Sequence, residues 1–235
     1  GCAVTCDDFA QAMADANPDS ELASRLEQFK RWYAQAGTPR VRAAGQYDAA
    51  ARSYALTLEQ SCAPTPGQPD KEPLVIPVEL GLLAQDGRAL PLQLQGEDAP
   101  GATSRTVVLS EPRQTLRFVN VDSAPVPSLL RGFSAPVVLD FDYTDAQLLA
   151  LLAHDTDPFN RWEAGQRLAL RCAIESIASG AQPAGAEVLF VAADITAEAG
   201  RAAVFAVRRD FDIVVTNAGG PPPGDFRDWD RDAWI

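Results

Sequence analysis

Residues 74–83 (LVIPVELGLL), 85–88 (QDGR) and 90–94 (LPLQL) decide the fold class that this sequence predicts. In the two apolar segments, apolar side chains alternate with polar or small ones, as in a strand buried on one face. Asp86-Gly87 lies between them, and this dipeptide is a strong hairpin signal because the turn needs residues that accept a positive φ. We therefore expect a β-hairpin over residues 74–94.

Similar short runs extend on both sides of this hairpin, between Pro39 and Tyr143. The runs are 54–58, 106–109, 114–119 and 136–143, and the turn-rich clusters between them are 64–67, 96–101 and 125–127. About six or seven short strands with regular turn signals predict an antiparallel β-sandwich, which is large enough to bury its own core. Prolines at 73, 77 and 91 are expected at edge strands or strand starts, because proline cannot donate a ladder hydrogen bond.

Helical periodicity precedes and follows the predicted sandwich. Residues 1–36 contain two helical stretches separated at 17–20, and residues 145–179 contain a second pair separated at Asp157-Pro158. The apolar face of the second stretch is expected to be core. Its members are Leu22, Leu26, Phe29, Trp32 and Tyr33.

The last fifty residues follow a different pattern. Residues 186–193 and 212–216 are continuous apolar runs, and residues 196–209 between them have an amphipathic helical period. Continuous apolar strands around a helix predict a βαβ piece of a parallel sheet buried on both faces. The segment is therefore expected to be Rossmann-like.

The composition excludes several function classes. Asp and Glu number 32 against 20 Lys and Arg, so the formal net charge is −12, which argues against nucleic acid as a partner. No apolar run approaches the roughly 18 residues of a membrane span. The cysteines lack C-x-x-C spacing and are predicted to be free thiols of a cytoplasmic protein. They are Cys2, Cys6, Cys62 and Cys172.

Two residue types are scarce enough to limit the chemistry of the chain. The single histidine, His154, rules out any site that needs two histidines, and both lysines, Lys30 and Lys71, lie in the first third of the chain. We expect His154 to be a surface or capping residue near a helix C-terminus. Arg161-Trp162 is expected to place a buried indole between helix and sandwich, with the arginine at its rim.

Five motifs resemble the bacterial alanyl aminopeptidase N family of zinc metallopeptidases. They are C-D-D-F-x-Q-A-M (6–13), F-x-R-W-Y-x-Q-x-G-T-P (29–39), P-L-x-I-P (73–77), P-V-P-S-L-L-x-x-F-S-A-P-V (125–137) and F-x-R-W-x-A-x-Q (159–166). The resemblance implies that residues 1–38 are the last helices of a thermolysin-like catalytic domain. It implies an Ig-like sandwich at 39–144 and the start of a C-terminal helical domain at 145–184.

The residues that this family uses for catalysis do not occur in the sequence. H-E-x-x-H, which binds the zinc, and G-A-M-E-N, which holds the substrate amine, are both missing. We therefore expect no catalytic and no metal-binding residue, and no cofactor in this chain. Because the chain starts at Gly1 and stops within a helix-like run at Ile235, we expect a fragment at both ends.

The function that the resemblance implies is that of a non-catalytic structural fragment of a zinc aminopeptidase, an enzyme that releases N-terminal amino acids from peptides. Its expected partners are the catalytic and helical domains of the parent. A stand-alone interaction module is the alternative. It would use the sandwich edge or exposed helix faces and would self-associate through them.

Residues 185–235 resemble a short-chain dehydrogenase/reductase. The resemblance rests on Asp194-Ile195-Thr196 after one apolar run and Asn217-Ala218-Gly219-Gly220 after the next. It implies remnants of an NAD(P) site at Asp194, Asn217, Ala218 and Gly219. The family's T-G-x-x-x-G-x-G turn and its Y-x-x-x-K pair are absent, so residual NAD(P) binding is only an alternative function.

Overall fold

A computed structural model describes residues 3–179 and 197–207 of the chain. Four helices come first: α1 (Cys6–Ala16), α2 (Glu21–Ser24), α3 (Leu26–Phe29) and α4 (Arg31–Ala34). The strands are β1 (Pro39–Asp48), β2 (Ser53–Cys62), β3 (Ile76–Leu83), β4 (Ser104–Leu109), β5 (Arg113–Phe118), β6 (Val126–Leu129) and β7 (Val138–Asp140). Then come α5 (Asp145–His154), α6 (Pro158–Ser179) and α7 (Glu198–Val207). Contacts divide the chain into two units, Gly1–Ile174 and Glu175–Ile235, and α7 belongs to the second.

The strands form a sheet of four in the order β5-β2-β1-β7 and a sheet of three in the order β4-β3-β6. The prediction of a mainly β chain with a sandwich between helices is confirmed. Every pairing is antiparallel except that of β7, which runs parallel to β1 from Arg40↔Val138 to Arg42↔Asp140. The sandwich was predicted to be antiparallel throughout, but the pairing of β7 with β1 is parallel.

The core lies between the two sheets and is built by alternation along each strand. In β2, for example, Leu56 and Leu58 are buried, whereas Thr57 between them is half-exposed. Leu80 in β3, Leu109 in β4 and Phe118 in β5 are each fully buried on the facing surfaces. A period of two on one face of each sheet thus produces the packed layer.

The predicted hairpin forms only in part. Ala84 N–H donates to Arg88 O (2.8 Å), Leu90 N–H donates to Leu82 O (2.8 Å), and Gly87 has the positive φ (83°) that the turn requires. The second arm, residues 90–94, was predicted to be a strand but is not one. Leu92 instead exchanges two backbone hydrogen bonds with residues 101 and 102 (2.7 and 3.0 Å), which pull it away from β3.

Two prolines lie within strands, one against the prediction and one in agreement with it. Residues 125–127 were expected to turn, but Pro127 lies in β6, an edge strand where its missing N–H faces no ladder. Pro77, expected at an edge strand or a strand start, is the second residue of β3, the central strand of its sheet. Glu79 N–H, on the same side of the strand as the nitrogen of Pro77, donates to Ser134 Oγ (3.0 Å) because β6 pairs with β3 only from Leu80 onward.

The N-terminal helices are more broken than predicted. α1 starts with a capping box at Thr5 and Asp8, but the second predicted helix is three short helices, with an interruption at Arg25 (φ −128°). Its apolar face is half-buried and not core, and Tyr33 is 49% exposed. Polar contacts, described below, hold this segment to the sandwich.

The substitution Leu80→Ala should lower the free energy of unfolding by about 2–5 kcal/mol, because it leaves a cavity in the centre of β3. The matched control is Leu149→Ala on α5, where the side chain is 55% exposed and the expected loss is within about 0.5 kcal/mol. Urea unfolding followed by circular dichroism measures both. Equal losses for the two variants would contradict this placement of the core.

Alkaline pH should destabilise the sandwich through two buried tyrosines. Burial raises the pKa of Tyr54 and of Tyr143, and the nearby Arg167 charge only partly opposes this for Tyr143. The unfolded chain therefore releases these protons first, so stability is intact below about pH 10 and falls above it, by up to about 1.4 kcal/mol per pH unit for each tyrosine. Tyr143→Phe should flatten this slope in denaturant titrations, whereas Tyr33→Phe, on an exposed side chain, should leave it unchanged.

Candidate functional site

The structure places only part of the residues that the sequence singled out. Asp194, Asn217, Ala218 and Gly219, the predicted NAD(P) remnants, lie outside the described residues. His154 is the exposed last residue of α5, as predicted, and its ring lies against Gly87 in the hairpin turn. Among residues 3–179 and 197–207, no three His, Cys, Asp or Glu side chains are grouped as metal ligands. None of the helices described there is long and apolar enough to cross a membrane.

The side chains that do converge form two polar junctions, one directly before β3 and one beside Gly81 within it. The N-terminal junction joins residues 28–36, in the helical segment, to residues 68–75, which precede β3. The C-terminal junction joins the turn after β6 to the loop between α5 and α6. Neither junction was predicted from sequence.

In the N-terminal junction, four consecutive backbone carbonyls each accept a hydrogen bond from a side chain. Residues 72–75 belong to no strand, so their carbonyls have no ladder partner. Side-chain nitrogens replace that partner. The pairs are Gln35 Nε2 with Glu72 O (3.0 Å), Arg31 Nη1 with Pro73 O (2.6 Å), Gln60 Nε2 with Leu74 O (2.9 Å) and Trp32 Nε1 with Val75 O (2.8 Å).

Further contacts make this junction reciprocal. The Oε1 atoms of Gln35 and Gln60 accept from Glu72 N–H (2.6 Å) and Leu74 N–H (2.7 Å), so each amide binds both polar groups of one residue. Lys71 Nζ donates to Ala36 O, Thr65 Oγ1 and Gln68 Oε1 at 2.7–3.0 Å. The guanidinium of Arg31, the indole of Trp32 and the amide of Gln35 donate in fixed directions, so their contacts with residues 72–75 hold the helical segment in one orientation.

The C-terminal junction contains a buried ion pair. The side chains of Arg131 and Asp155 are 8% and 0% exposed, and Arg131 Nη2 lies 3.3 Å from Asp155 Oδ1. The same nitrogen donates to Thr156 Oγ1 (2.5 Å). The Arg131 guanidinium lies over Gly81 of β3, where a Cβ would overlap Nη1. A side chain at position 81 would therefore displace this guanidinium from its place beside Asp155.

Polar contacts around this pair attach α6, and Tyr143 directly before α5, to the sandwich. Asn160 Nδ2 donates to Ser128 Oγ (2.7 Å), and Tyr143 Oη donates to Pro127 O (2.8 Å), so β6 is bound from two directions. Arg167 on α6 donates to the carbonyls of Leu139 (3.2 Å) and Phe141 (3.4 Å). A cavity of about 20 Å³ beside Tyr143 and Asn160 has the size of a single water molecule.

The expected buried indole at Trp162 is wrong. Trp162 is 57% exposed, and it ends an aromatic row in which the Phe159 ring centroid lies 5.8 Å from Trp162 and 5.3 Å from Phe133. Arg161 does not lie at a buried rim, but donates through Nε to Leu152 O (3.0 Å). The residues that anchor the helices are instead Arg131 and Asp155. The one sequence signal for them was a charge, Arg131, inside the otherwise uncharged segment 126–137.

Two protein-family models match the chain in sequence order. The first, described as a domain of unknown function (DUF3458) with an Ig-like fold, matches residues 37–142. The second, described as a domain of unknown function (DUF3458_C) with ARM repeats, matches residues 145–206. The predicted Ig-like fold of the sandwich is thereby confirmed.

Curated relatives point to one kind of enzyme. The chain is 42% identical over 169 residues to aminopeptidase N of Escherichia coli (strain K12) and 40% identical over 168 residues to that of Haemophilus influenzae. It is 43% identical over 169 residues to aminopeptidase N of Caulobacter vibrioides. Each match covers 72% of this chain but only 18% of the relative.

A solved structure agrees with the fold. The crystal structure of Legionella pneumophila aminopeptidase A in complex with aspartic acid matches with a TM-score of 0.59, over 90% of this chain and 21% of that chain. At 23% identity it supports the fold only.

The resemblance to a short-chain dehydrogenase/reductase is not supported. The ARM-repeat match continues to residue 206 and so overlaps residues 185–206, which the sequence pattern assigned to a reductase-like segment. The chain therefore contains an Ig-like domain, its following segment matches the ARM-repeat model, and over 72% of its residues it is homologous to aminopeptidase N.

Proposed function

We propose that the chain is the non-catalytic interdomain region of a zinc-dependent aminopeptidase that releases N-terminal amino acids from peptides. Its role is to hold a catalytic domain at one end of the sandwich and a helical domain at the other. The observation that carries this proposal is the pair of polar junctions, because both bind helices to the same sandwich through contacts of fixed geometry. The homology to aminopeptidase N supports it.

Exposed apolar side chains on the helices support the presence of partner domains. On α1, Phe9 and Met13 are 60% and 44% exposed. On α6, Trp162, Leu170 and Ile174 are 57%, 62% and 56% exposed. Residues 162, 170 and 174 share one face at helical spacing, and an apolar stripe of this kind is typical of a helix that packs against another element.

The residues described in this chain do not fit a catalytic zinc. His154 is the only histidine in the sequence, and its neighbour Asp155 is buried against Arg131. A zinc peptidase site needs three protein ligands, usually with two histidines on one helix. We therefore derive no step through zinc, and place the metal and its ligands on the catalytic domain.

A domain replacement tests the proposed role. The homologous region of Escherichia coli aminopeptidase N is replaced by the matching 169 residues of this chain. We expect the chimera to hydrolyse an amino-acid amide with kcat/KM within about tenfold of the parent, or about 1.4 kcal/mol in transition-state free energy. A folded chimera without activity would contradict an interdomain role that this chain can fill.

Variants of the chimera test the N-terminal junction. Trp32→Phe removes the indole donor to Val75 O, and Gln35→Leu removes both bonds to residue 72. Each should lower the melting temperature of the chimera by several degrees, since each leaves polar backbone groups without a partner. Tyr33→Phe, at the exposed position beside them, is the matched control and should leave it unchanged.

Light scattering after size exclusion separates this role from a self-associating module. A fragment that has lost its neighbouring domains should form heterogeneous aggregate through the apolar stripe of α6. Trp162→Ser and Leu170→Ser should reduce that aggregation. A discrete, reproducible oligomer would instead favour the interaction module.

We further propose a cytoplasmic location. Cys6, Cys62 and Cys172 are unpaired in the part of the chain that the structure describes, which is typical of a reducing compartment. Titration of the purified, unreduced chain with a thiol reagent under denaturing conditions should find these three thiols free. Stable intermolecular disulfides in freshly purified protein would argue for an oxidising compartment.

A further inference from the structure

The turn that follows β6 has an unfavourable backbone. φ is +56° at Leu130, +59° at Gly132 and +53° at Phe133. Glycine accepts this region freely, but leucine and phenylalanine do not, because their Cβ crowds the backbone there. Residues 130–133 therefore keep this conformation only if neighbouring groups hold it.

The loop between α5 and α6 supplies those groups. Asp155 and Thr156 bind the guanidinium of Arg131, and Asp157 Oδ2 accepts from Gly132 N–H (2.9 Å). The ring of Phe159, in the first turn of α6, contacts that of Phe133. Three consecutive residues of the turn are thus held by residues 155–159, which are distant in sequence.

The charge of Arg131 makes this attachment conditional. Arg131 is buried against β3, and Asp155 is the carboxylate that pairs with it among the described residues. A buried charge that loses its partner is strongly destabilising, whereas a pair replaced by apolar side chains is often tolerated. If the loop moved away, Arg131 would lose its carboxylate and leave its place over Gly81. The turn would then lose the contacts that hold Leu130 and Phe133 at positive φ.

The buried carboxylate of Asp155 depends in turn on Arg131. Its Oδ1 accepts from Asp157 N–H (2.9 Å) and faces Arg131, but its Oδ2 is buried without a hydrogen-bond partner among the described residues. The loop therefore holds a carboxylate whose burial is compensated chiefly by the arginine of the turn. Each side of the contact is stable only while the other is in place.

We propose that residues 130–134 form a latch, whose strained conformation exists only while residues 155–157 are docked. Undocking of the helix pair α5–α6 and relaxation of the turn are then one event. Because Leu129, which immediately precedes the latch, pairs with Leu80 of β3, the event reaches the central strand of the smaller sheet. Docking of the pair α5–α6 thereby determines the conformation at the end of β6.

Hydrogen exchange on the full chain, followed by mass spectrometry, tests the latch. Asp155→Asn leaves Arg131 buried without its carboxylate. We expect exchange to rise by at least about tenfold, and by similar factors, in peptides covering 128–135 and 144–171, while peptides from β2 and β5 keep their protection. In the double variant R131M/D155L, protection should return to within about threefold of the original chain, since the unpaired charge is gone.

Two further variants keep the test decisive. Asp157→Asn keeps Oδ1, which caps α6 by accepting from Asn160 N–H (2.8 Å), and replaces Oδ2, the acceptor of Gly132 N–H, with an amide nitrogen that cannot accept; it should loosen both regions even if Asp155→Asn fails to fold. Arg171→Met breaks an exposed pair between α6 and α5, with Asp145, and should leave the turn protected. The latch is refuted if either region loosens alone, or if the double variant is no better protected than Asp155→Asn.

Discussion

Strand β3 is the constraint on which the rest of the structure depends. It is the central strand of its sheet, paired with β4 on one side and with β6 on the other. The N-terminal junction binds residues 72–75 directly before it, and the C-terminal junction lays Arg131 across Gly81 in its second half. Its position is fixed by backbone pairing, and the absence of a side chain at residue 81 admits the arginine. The N-terminal helices and the pair α5–α6 are therefore both positioned by contacts with β3 and the residues directly before it.

The junctions add polar contacts to apolar packing, such as that of Leu148 and Leu151 against Leu83 and Val126, and the polar contacts have a separate physical role. Each hydrogen bond contributes little net stability, because water competes for the same groups in the unfolded chain. A misaligned helix, however, would leave carbonyls of residues 72–75 or the charge of Arg131 without a partner, and that is costly. The contacts of Trp32, Gln35 and Asp155 therefore select an orientation more than they add stability. An apolar joint of equal area would tolerate sliding.

The sequence predicted what depends on local period and turn chemistry. The sandwich, the turn at Asp86-Gly87 and the separate helices around it were all visible, because alternation and caps are written in neighbouring residues. β1 was missed since its inward residues are small, Val41 and Ala43, with Gly45 beside the Tyr54 ring. The pairing of Arg131 with Asp155 was invisible because no local pattern links residues so far apart. Trp162 was misplaced, since aromatic character alone does not distinguish a core side chain from one awaiting a partner.

The distance between the junctions follows from strand geometry and bears on the proposed role. Val75, which accepts from Trp32, and Gly81, which lies under Arg131, are separated by six residues of extended chain, or about 20 Å. β4 pairs with β3 from Ile76 to Gly81, and β6 pairs with it from Leu80 to Leu83, so stretching or bending this span would break ladder hydrogen bonds. The two helical attachments are thus kept at a set separation by one paired strand. A sandwich that fixes both attachments to one such strand is suited to spacing neighbouring domains.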